Sequence, residues 1–272
     1  MTALLSLAIH AALDAGGDIM AIYDDPAADF GIERKADNSP LTRADKAAHA
    51  RITSLLEPTG IPVLSEEGAH LPFEVRRTWQ RLWIVDPLDG TKEFIKRNGE
   101  FTVNIALVEN GTPVLGVIYK PAPDQENEAG ALFFGSLRPE PHAWKAIVHE
   151  KEDLTNLLKD AQPLPVLPAT NRPYICVASR SHLSPETETF IDELRKEHPD
   201  LQLSSSGSSL KICLVAEGKA DIYPRFAPTM EWDTAAGHAI ALAAGHSMVD
   251  AQTGKPLTYN KADLHNPWFI VQ

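Results

Sequence analysis

Cysteine is scarce: the 272 residues hold two, Cys176 and Cys213. Both lie in apolar runs, Tyr174-Ile175-Cys176-Val177 and Ile212-Cys213-Leu214. They are expected as small core residues in a reducing compartment. Basic residues are outnumbered, with 25 Lys and Arg against 37 Asp and Glu and a net charge of −12. A chain that negative is a poor candidate for nucleic-acid binding through a basic face. The same field repels a phosphorylated small molecule, so a phosphate ligand needs local cations, either metal ions or clustered Lys and Arg. No apolar run approaches membrane-spanning length, and no basic region opens the N-terminus, so neither an integral span nor a signal peptide is expected. Internal repeats and low-complexity tracts are also missing. With 43% apolar residues, the chain is globular and can build two packed subdomains or one large domain.

What is present centres on Trp83-Ile84-Val85-Asp86-Pro87-Leu88-Asp89-Gly90-Thr91-Lys92-Glu93-Phe94. Leu82 to Val85 reads as a buried strand, followed by turn and helix-start residues. Two carboxylates leave the strand end three positions apart. Pro87 fixes one φ between them, and Gly90 permits a turn that most residues resist. Thr91 falls where a helix could begin. Two acids and a hydroxyl on a rigid strand end suit a divalent cation and a phosphate. The purely structural alternative is that Asp and Thr cap backbone amides. An EF-hand is excluded, because its acids alternate and a distant Glu closes the loop. A haloacid dehalogenase-type aspartyl nucleophile is disfavoured, because its two acids are spaced by two on one side of the strand.

Along the chain, Leu5, Ile9, Ala12, Leu13, Ile19 and Tyr23 recur at helical spacing. Residues 35–42 form a polar loop. A second helix starts near Thr42, with Ala48, Ile52, Leu55 and Leu56 on its apolar face. Thr42 and Asp45 have capping-box spacing, which is a structural role for Asp45. Pro62 to Ser65 is a short strand, and Glu66-Glu67-Gly68 follows at its end. A hairpin turns at Asn110-Gly111, between Thr102–Val108 and Val114–Tyr119. Strands follow near 132–134 and 143–148. This half reads as α+β with an antiparallel sheet.

The Pro-rich stretch 162–168 is the best boundary, giving residues 1–165 as an α+β half and 166–272 as an α/β half. Strands are expected at 174–178, 201–204, 220–223, 248–249 and 268–271. Helices are expected from Ser184-Pro185, over 208–217 and over 233–244. Asp233 opens the last helix in Glu231-Trp232-Asp233-Thr234-Ala235-Ala236-Gly237. It is either a cap or a carboxylate aimed into the groove between the halves. Arg180-Ser181-His182, Gly207-Ser208-Ser209, Lys211 and Arg225 scatter cations and amide donors through the same half. A helix N-terminus at 208 would suit an anion. Taken singly, Lys211 and Arg225 read as solvated surface charge.

Three ordered stretches, Glu66-Glu67, Asp86-Pro87-Leu88-Asp89-Gly90-Thr91 and Trp232-Asp233-Thr234-Ala235-Ala236-Gly237, resemble the motifs of the lithium-sensitive, magnesium-dependent inositol monophosphatase superfamily. The resemblance covers essentially the whole chain. Within the superfamily it leans to the branch of bacterial bisphosphate nucleotidases, through Lys35-Ala36-Asp37-Asn38-Ser39-Pro40, Lys92-Glu93-Phe94-Ile95, Ser179-Arg180-Ser181-His182, Gly207-Ser208-Ser209-Leu210-Lys211 and Tyr223-Pro224-Arg225-Phe226. The long polar segment 121–142 departs from the pattern.

The resemblance implies an αβαβα layered sandwich, α+β in class, and cytoplasmic removal of the 3'-phosphate of adenosine 3',5'-bisphosphate. Two or three Mg²⁺ ions would be held, one by Glu66, Asp86 and the Leu88 carbonyl, a second by Asp86, Asp89 and Asp233. Thr91 and Asp45 would orient or deprotonate the attacking water. Glu66, Gly90, Thr91 and Asp233 would face the substrate, and His182, Gly207, Ser208, Ser209, Lys211 and Arg225 would hold the nucleotide. A homodimer and peripheral contact with the inner membrane are compatible with it. Inositol monophosphate and fructose 1,6-bisphosphate are rival substrates. A catalytically silent nucleotide or metal sensor is the rival class, and the presence of Asp45, Thr91 and all four metal carboxylates argues against it.

Overall fold

The computed structural model describes all residues except 1, 26, 28, 36–38, 69–70, 124–127, 150–153, 167–171 and 179–183. The chain opens with helix α1 (Ala3–Tyr23), capped by the Thr2 side chain. A two-stranded ribbon, β1 (Glu33–Arg34) and β2 (Pro40–Leu41), leads to helix α2 (Arg43–Leu56). Strand β3 (Val63–Ser65), the short helix α3 (Phe73–Arg76), strand β4 (Arg81–Asp89) and helix α4 (Thr91–Ile95) follow. Then come β5 (Thr102–Glu109), β6 (Thr112–Lys120), β7 (Gly130–Ser136), β8 (His142–Val148), α5 (Leu154–Lys159) and β9 (Gln162–Pro163). The expected Asn110-Gly111 hairpin joins β5 to β6, and β7 takes up the apolar part of the segment 121–142.

Strands β3 to β9 form one sheet of seven strands in sequence order. It is antiparallel except at β3 and β4, which pair in parallel with Ser65 opposite Val85. The expectation of a wholly antiparallel sheet is corrected there, and the consequence is chemical. Parallel pairing brings both strand ends to the same edge, so Glu66 arrives beside Asp86.

Beyond the Pro-rich stretch lie β10 (Ile175–Val177), α6 (Pro185–Glu197), β11 (Gln202–Ser204), α7 (Leu210–Ala216), β12 (Tyr223–Arg225), α8 (Glu231–Ala243), β13 (Met248–Asp250) and β14 (Phe269–Val271). Strands β10 and β11 pair in parallel, while β12, β14 and β13 form an antiparallel sheet. Three apolar clusters tie these elements into five layers. The first, with Ile9, Ala48 and Val117, lies between α1/α2 and the large sheet. The second, with Ile84, Ile118, Ile212 and Ile240, joins the other face of that sheet to α7 and α8. The third, with Cys176, Ile191, Ile222 and Ile270, lies under α6. This is the αβαβα sandwich. Helix α8, from beyond the Pro-rich stretch, packs on β4, β5, β6 and β7, so residues on both sides of that stretch share a core.

Both cysteines are buried and free, and burial pushes the Cys176 thiol up to about 12. They behave as core residues. Helix α1 corrects the expectation about apolar runs. By length and composition its 21 residues could cross a membrane, yet Leu5, Ala8, Ile9, Ala12, Ala15 and Ile19 are buried and belong to the cluster between the helices and the sheet.

The seat of α8 is tight. A Cβ at Gly116 on β6 would lie 2.2 Å from the Ala236 carbonyl oxygen, and backbone cannot swing aside as a side chain can. Gly116→Ala is therefore expected to destabilise the fold by about 1–3 kcal/mol, the usual scale of overpacking. Thermal unfolding reads this as a melting temperature several degrees lower, and an unchanged temperature would show that α8 is not seated on β6.

Candidate active site

Strand β4 makes the site through one extra residue. Trp83 and Val85 face the α1/α2 side, and Leu82 and Ile84 face α8. Asp86 pairs with Asn104 and Asp89 with Thr102, so three steps on β4 match two on β5. Such a bulge shifts the alternation by one. Leu88 thereby rejoins the α1/α2 side, and Asp86 and Asp89 share the opposite one. A regular strand would send residues three apart to opposite faces. The strand thus continues past Val85, where the sequence pattern ended it.

Helix α8 brings Asp233 to the same place. Carboxylate oxygens of Asp86, Asp89 and Asp233 all lie within 4.8 Å of one another. Asp233 stands at the third position of α8, not at its cap, and accepts the Met230 backbone N–H at 2.8 Å. The helix starts two residues earlier than expected because Glu231 is fully buried, accepting from the Asn260 and Lys261 backbone and from Lys261 Nζ. Glu66 joins at the end of β3, its backbone N–H donating to the Val85 carbonyl at 3.1 Å and its charge acting on Asp86. Lys35 bridges the Glu pair, with Nζ 2.6 Å from Glu66 Oε1 and 2.5 Å from Glu67 Oε1.

Burial and neighbouring negative charge act together here. Burial pushes Asp86 well above the carboxylate range, and Glu66, Asp89 and Asp233 push the same way. Asp233 rises to about 8, through burial and then the charge of Asp89. Glu66 is also raised by burial, against the opposing pull of Lys35. Carboxylates this close cannot all be charged unless a cation joins them. A set of hard oxygen donors from three elements, half open to a cleft, fits Mg²⁺ or a similar divalent ion. The Leu88 carbonyl, expected as a further ligand, lies 3.3 Å from Thr91 Oγ1, whose single proton has a nearer acceptor in Asp45.

Asp45 and Thr91 meet beside this cluster. Thr91 Oγ1 donates to Asp45 Oδ1 at 3.1 Å. The other oxygen, Oδ2, accepts the Thr42 N–H at 2.7 Å and the Thr42 hydroxyl at 2.5 Å. The capping box of α2 is therefore real, and the same carboxylate holds Thr91. Burial pushes the Asp45 carboxyl up, against the hydrogen bonds from Thr42. Gly90 precedes Thr91 at φ +91°, a left-handed turn that starts α4.

A cleft opens from the acids, lined by Asp89, Gly90, Ser208, Ser209, Lys211, Arg225 and Asp233. Lys211 is not surface charge: it is 9% exposed, and burial lowers its ammonium to about 8. Its Nζ donates to the Ser206 and Ser208 carbonyls at 3.1 and 2.7 Å. Arg225 is half-buried and donates to the Pro228 carbonyl. Gly207 packs on Glu100, whose carbonyl oxygen would lie 2.7 Å from an added Cβ. His182 falls outside the described residues. Helix α7 begins at Leu210, because Ser208 sits at φ +50°, outside helical space.

Several members of the site escaped the sequence reading. Lys35 reads in sequence as part of a loop and of the branch-specific stretch 35–40, with no partner marked, yet its cation pairs with both Glu66 and Glu67. Thr102 and Asn104 lie on β5 facing Asp89; two polar residues spaced by two in the otherwise apolar run 102–108 were the available signal. Tyr223, Thr229 and Phe269 also line the cleft.

A 3'(2'),5'-bisphosphate nucleotidase CysQ from Salmonella typhimurium is 47% identical over 271 residues, covering 98% of this chain and 99% of that one. A protein of the same name from Haemophilus influenzae is 36% identical over 243 residues, covering 88% and 82%. The crystal structure of CysQ from Bacteroides thetaiotaomicron, a bacterial member of the inositol monophosphatase family, superposes with a TM-score of 0.87 at 55% identity, covering 98% of this chain and 96% of that one. The model of the inositol monophosphatase family matches residues 1–267. The bulged acids of β4, the carboxylate of α8 and the paired Asp45 and Thr91 thus stand in a chain that belongs to the inositol monophosphatase family.

Proposed function

We propose that the chain is a Mg²⁺-dependent 3'(2'),5'-bisphosphate nucleotidase that removes the 3'-phosphate of adenosine 3',5'-bisphosphate. The observation that carries this reading is one cleft with two electrostatic ends. One end is the carboxylate cluster of Glu66, Asp86, Asp89 and Asp233, where Mg²⁺ would be held. The other presents Lys211 and Arg225. A substrate with two phosphates and a base can use both ends, and a small cyclitol with one phosphate cannot. The names carried by relatives at 47% and 36% identity support the same substrate class. Cytoplasmic turnover of a by-product of sulfate activation is the setting that the resemblance implies.

Bound at the acids, Mg²⁺ would polarise the phosphate ester and favour a hydroxide-like water. Thr91 directs its hydroxyl by donating to Asp45, which leaves its lone pairs to accept from an attacking water. Asp45 is raised by burial and can take a proton relayed through Thr91. Remote contacts at Lys211 and Arg225 supply binding energy that is used at the reacting centre.

Phosphate release should require Mg²⁺, stop in excess chelator and be inhibited by Li⁺. Asp86→Asn should abolish it, because Asp86 stands between Glu66, Asp89 and Asp233; full turnover in that variant would remove the metal assignment. Thr91→Ala should lower turnover about 10²–10⁴-fold, the scale of acid–base assistance, with a melting temperature near that of the wild type. Asp45→Asn should lower turnover likewise and cost at most about 1 kcal/mol of stability, since it weakens one half of the capping box. If the two variants lose only stability, Asp45 and Thr91 are caps and nothing more.

Lys211→Ala tests the far end of the cleft. A charge-assisted hydrogen bond contributes about 1.5–3 kcal/mol, so KM for adenosine 3',5'-bisphosphate should rise at least about tenfold. The rise should be much smaller for adenosine 3'-monophosphate, which lacks the 5'-phosphate. Equal rises, or a wild-type protein that prefers inositol monophosphate, would place the chain in another branch of its family.

A further inference from the structure

The loop that carries Gly207 to Ser209 is fastened to a metal-site carboxylate. Ser208 is a non-glycine residue at φ +50°, a conformation that side chains other than Asn and Asp seldom adopt. Such an outlier persists only where its surroundings hold it. Its Oγ lies 2.7 Å from Asp89 Oδ2 and 2.5 Å from Thr102 Oγ1. A carboxylate only accepts, so Ser208 donates to Asp89 and its oxygen accepts from Thr102. Asn104 reaches the same Oδ2 at 3.4 Å and takes the Ser209 hydroxyl on its own Oδ1 at 2.9 Å. One oxygen of Asp89 is thus held from the loop and from β5 together.

Packing closes the same joint. A Cβ on Gly90 would stand 3.4 Å from Ser208 Cβ, and one on Gly207 would stand 2.7 Å from the Glu100 carbonyl oxygen. Lys211 ties down the Ser206 and Ser208 carbonyls. The turn after β4 and the loop before α7 therefore interlock, with the Ser208 hydroxyl as the polar link between them.

We propose that Ser208 is a positioning residue that clasps Asp89 to the nucleotide-facing loop, so that cation binding at the acids and nucleotide binding in the cleft are coupled through its hydroxyl. By holding Oδ2, Ser208 sets the direction of Oδ1. A cation held by Asp89 would bear on the loop through the same hydroxyl. This rests on the nucleotidase reading for the identity of the nucleotide, but not for the clasp itself.

Calorimetric titration of the full chain with Mg²⁺, without nucleotide, tests the clasp in Ser208→Ala and Ser208→Gly. Losing a partner that orients a metal-ligating carboxylate typically weakens the metal about 10–100-fold, and both variants are expected in that range. Glycine accepts a left-handed φ freely, so Ser208→Gly should melt no lower than the wild type without Mg²⁺ while still losing Mg²⁺ affinity. A residue that served only packing would not separate the two readouts. The affinity for adenosine 5'-monophosphate, measured with and without Mg²⁺, should differ in the wild type and converge in both variants. Unchanged Mg²⁺ affinity in Ser208→Gly, beside normal wild-type turnover, would overturn the clasp alone. Normal Mg²⁺ binding by a wild type that releases no phosphate would overturn the nucleotidase reading alone.

Discussion

Asp86, Asp89 and Asp233 keep carboxylate oxygens within 4.8 Å of one another, and the repulsion among them is the constraint to which the surrounding structure answers. Two like charges 4 Å apart repel by about 4 kcal/mol at a dielectric of 20. An isolated loop would simply move its acids apart. Here they cannot separate, because each is mounted on an element locked into a shared core. Asp86 and Asp89 ride a strand that β5 holds along its length on one side and β3 holds at Trp83 to Val85 on the other. Asp233 rides a helix whose backbone touches the sheet at Gly116. Backbone N–H groups at Leu88 and Met230 accept part of the load by donating to Asp86 and Asp233. The remainder is an affinity for cations stored in the fold.

That stored affinity resolves the conflict between a net charge of −12 and a phosphorylated substrate. The sign of the cleft is set locally. Lys35 lies across Glu66 and Glu67 at one end. Lys211, lowered to about 8 by burial, stays largely protonated at neutral pH and lies at the other. Cations at the acids would complete a field attractive to phosphate, while the acidic surface elsewhere disfavours polyanions such as nucleic acid.

The sequence shows this site unevenly, for physical reasons. Asp86, Asp89, Gly90 and Thr91 were legible because they are neighbours in the chain, and a strand ending in Pro and Gly leaves few places for the acids to go. The Thr42 and Asp45 capping box was legible because its spacing is local. That Asp45 also grips Thr91, 46 residues away, is tertiary and left no periodic trace. Lys211 read as surface charge because Leu210-Lys211-Ile212 looks like an ordinary turn of helix; its burial depends on the loop carbonyls of Ser206 and Ser208. The helix starts near 208 and 233 were placed two residues off. Left-handed Ser208 delays one helix, and buried Glu231 advances the other. The parallel pairing of β3 and β4 was not legible either, since alternation is the same in parallel and antiparallel strands.

The extra residue between Asp86 and Asp89 links these levels. Pro87 offers no N–H to the ladder, and proline inside a sheet is tolerated at bulges and free edges. Both conditions hold at this position: β3 has ended at Ser65, and the register with β5 shifts between Asp86 and Asp89. The bulge returns Leu88 to the apolar core and turns Asp89 to the side of Asp86, where α8 delivers Asp233. It also sets Asp89 opposite Thr102, whose hydroxyl meets Ser208. Regular alternation across the same four residues, without the bulge, would turn Asp89 and Leu88 to the wrong faces. The bulge that absorbs the extra residue thus makes a platform on which two carboxylates three positions apart can share a cation.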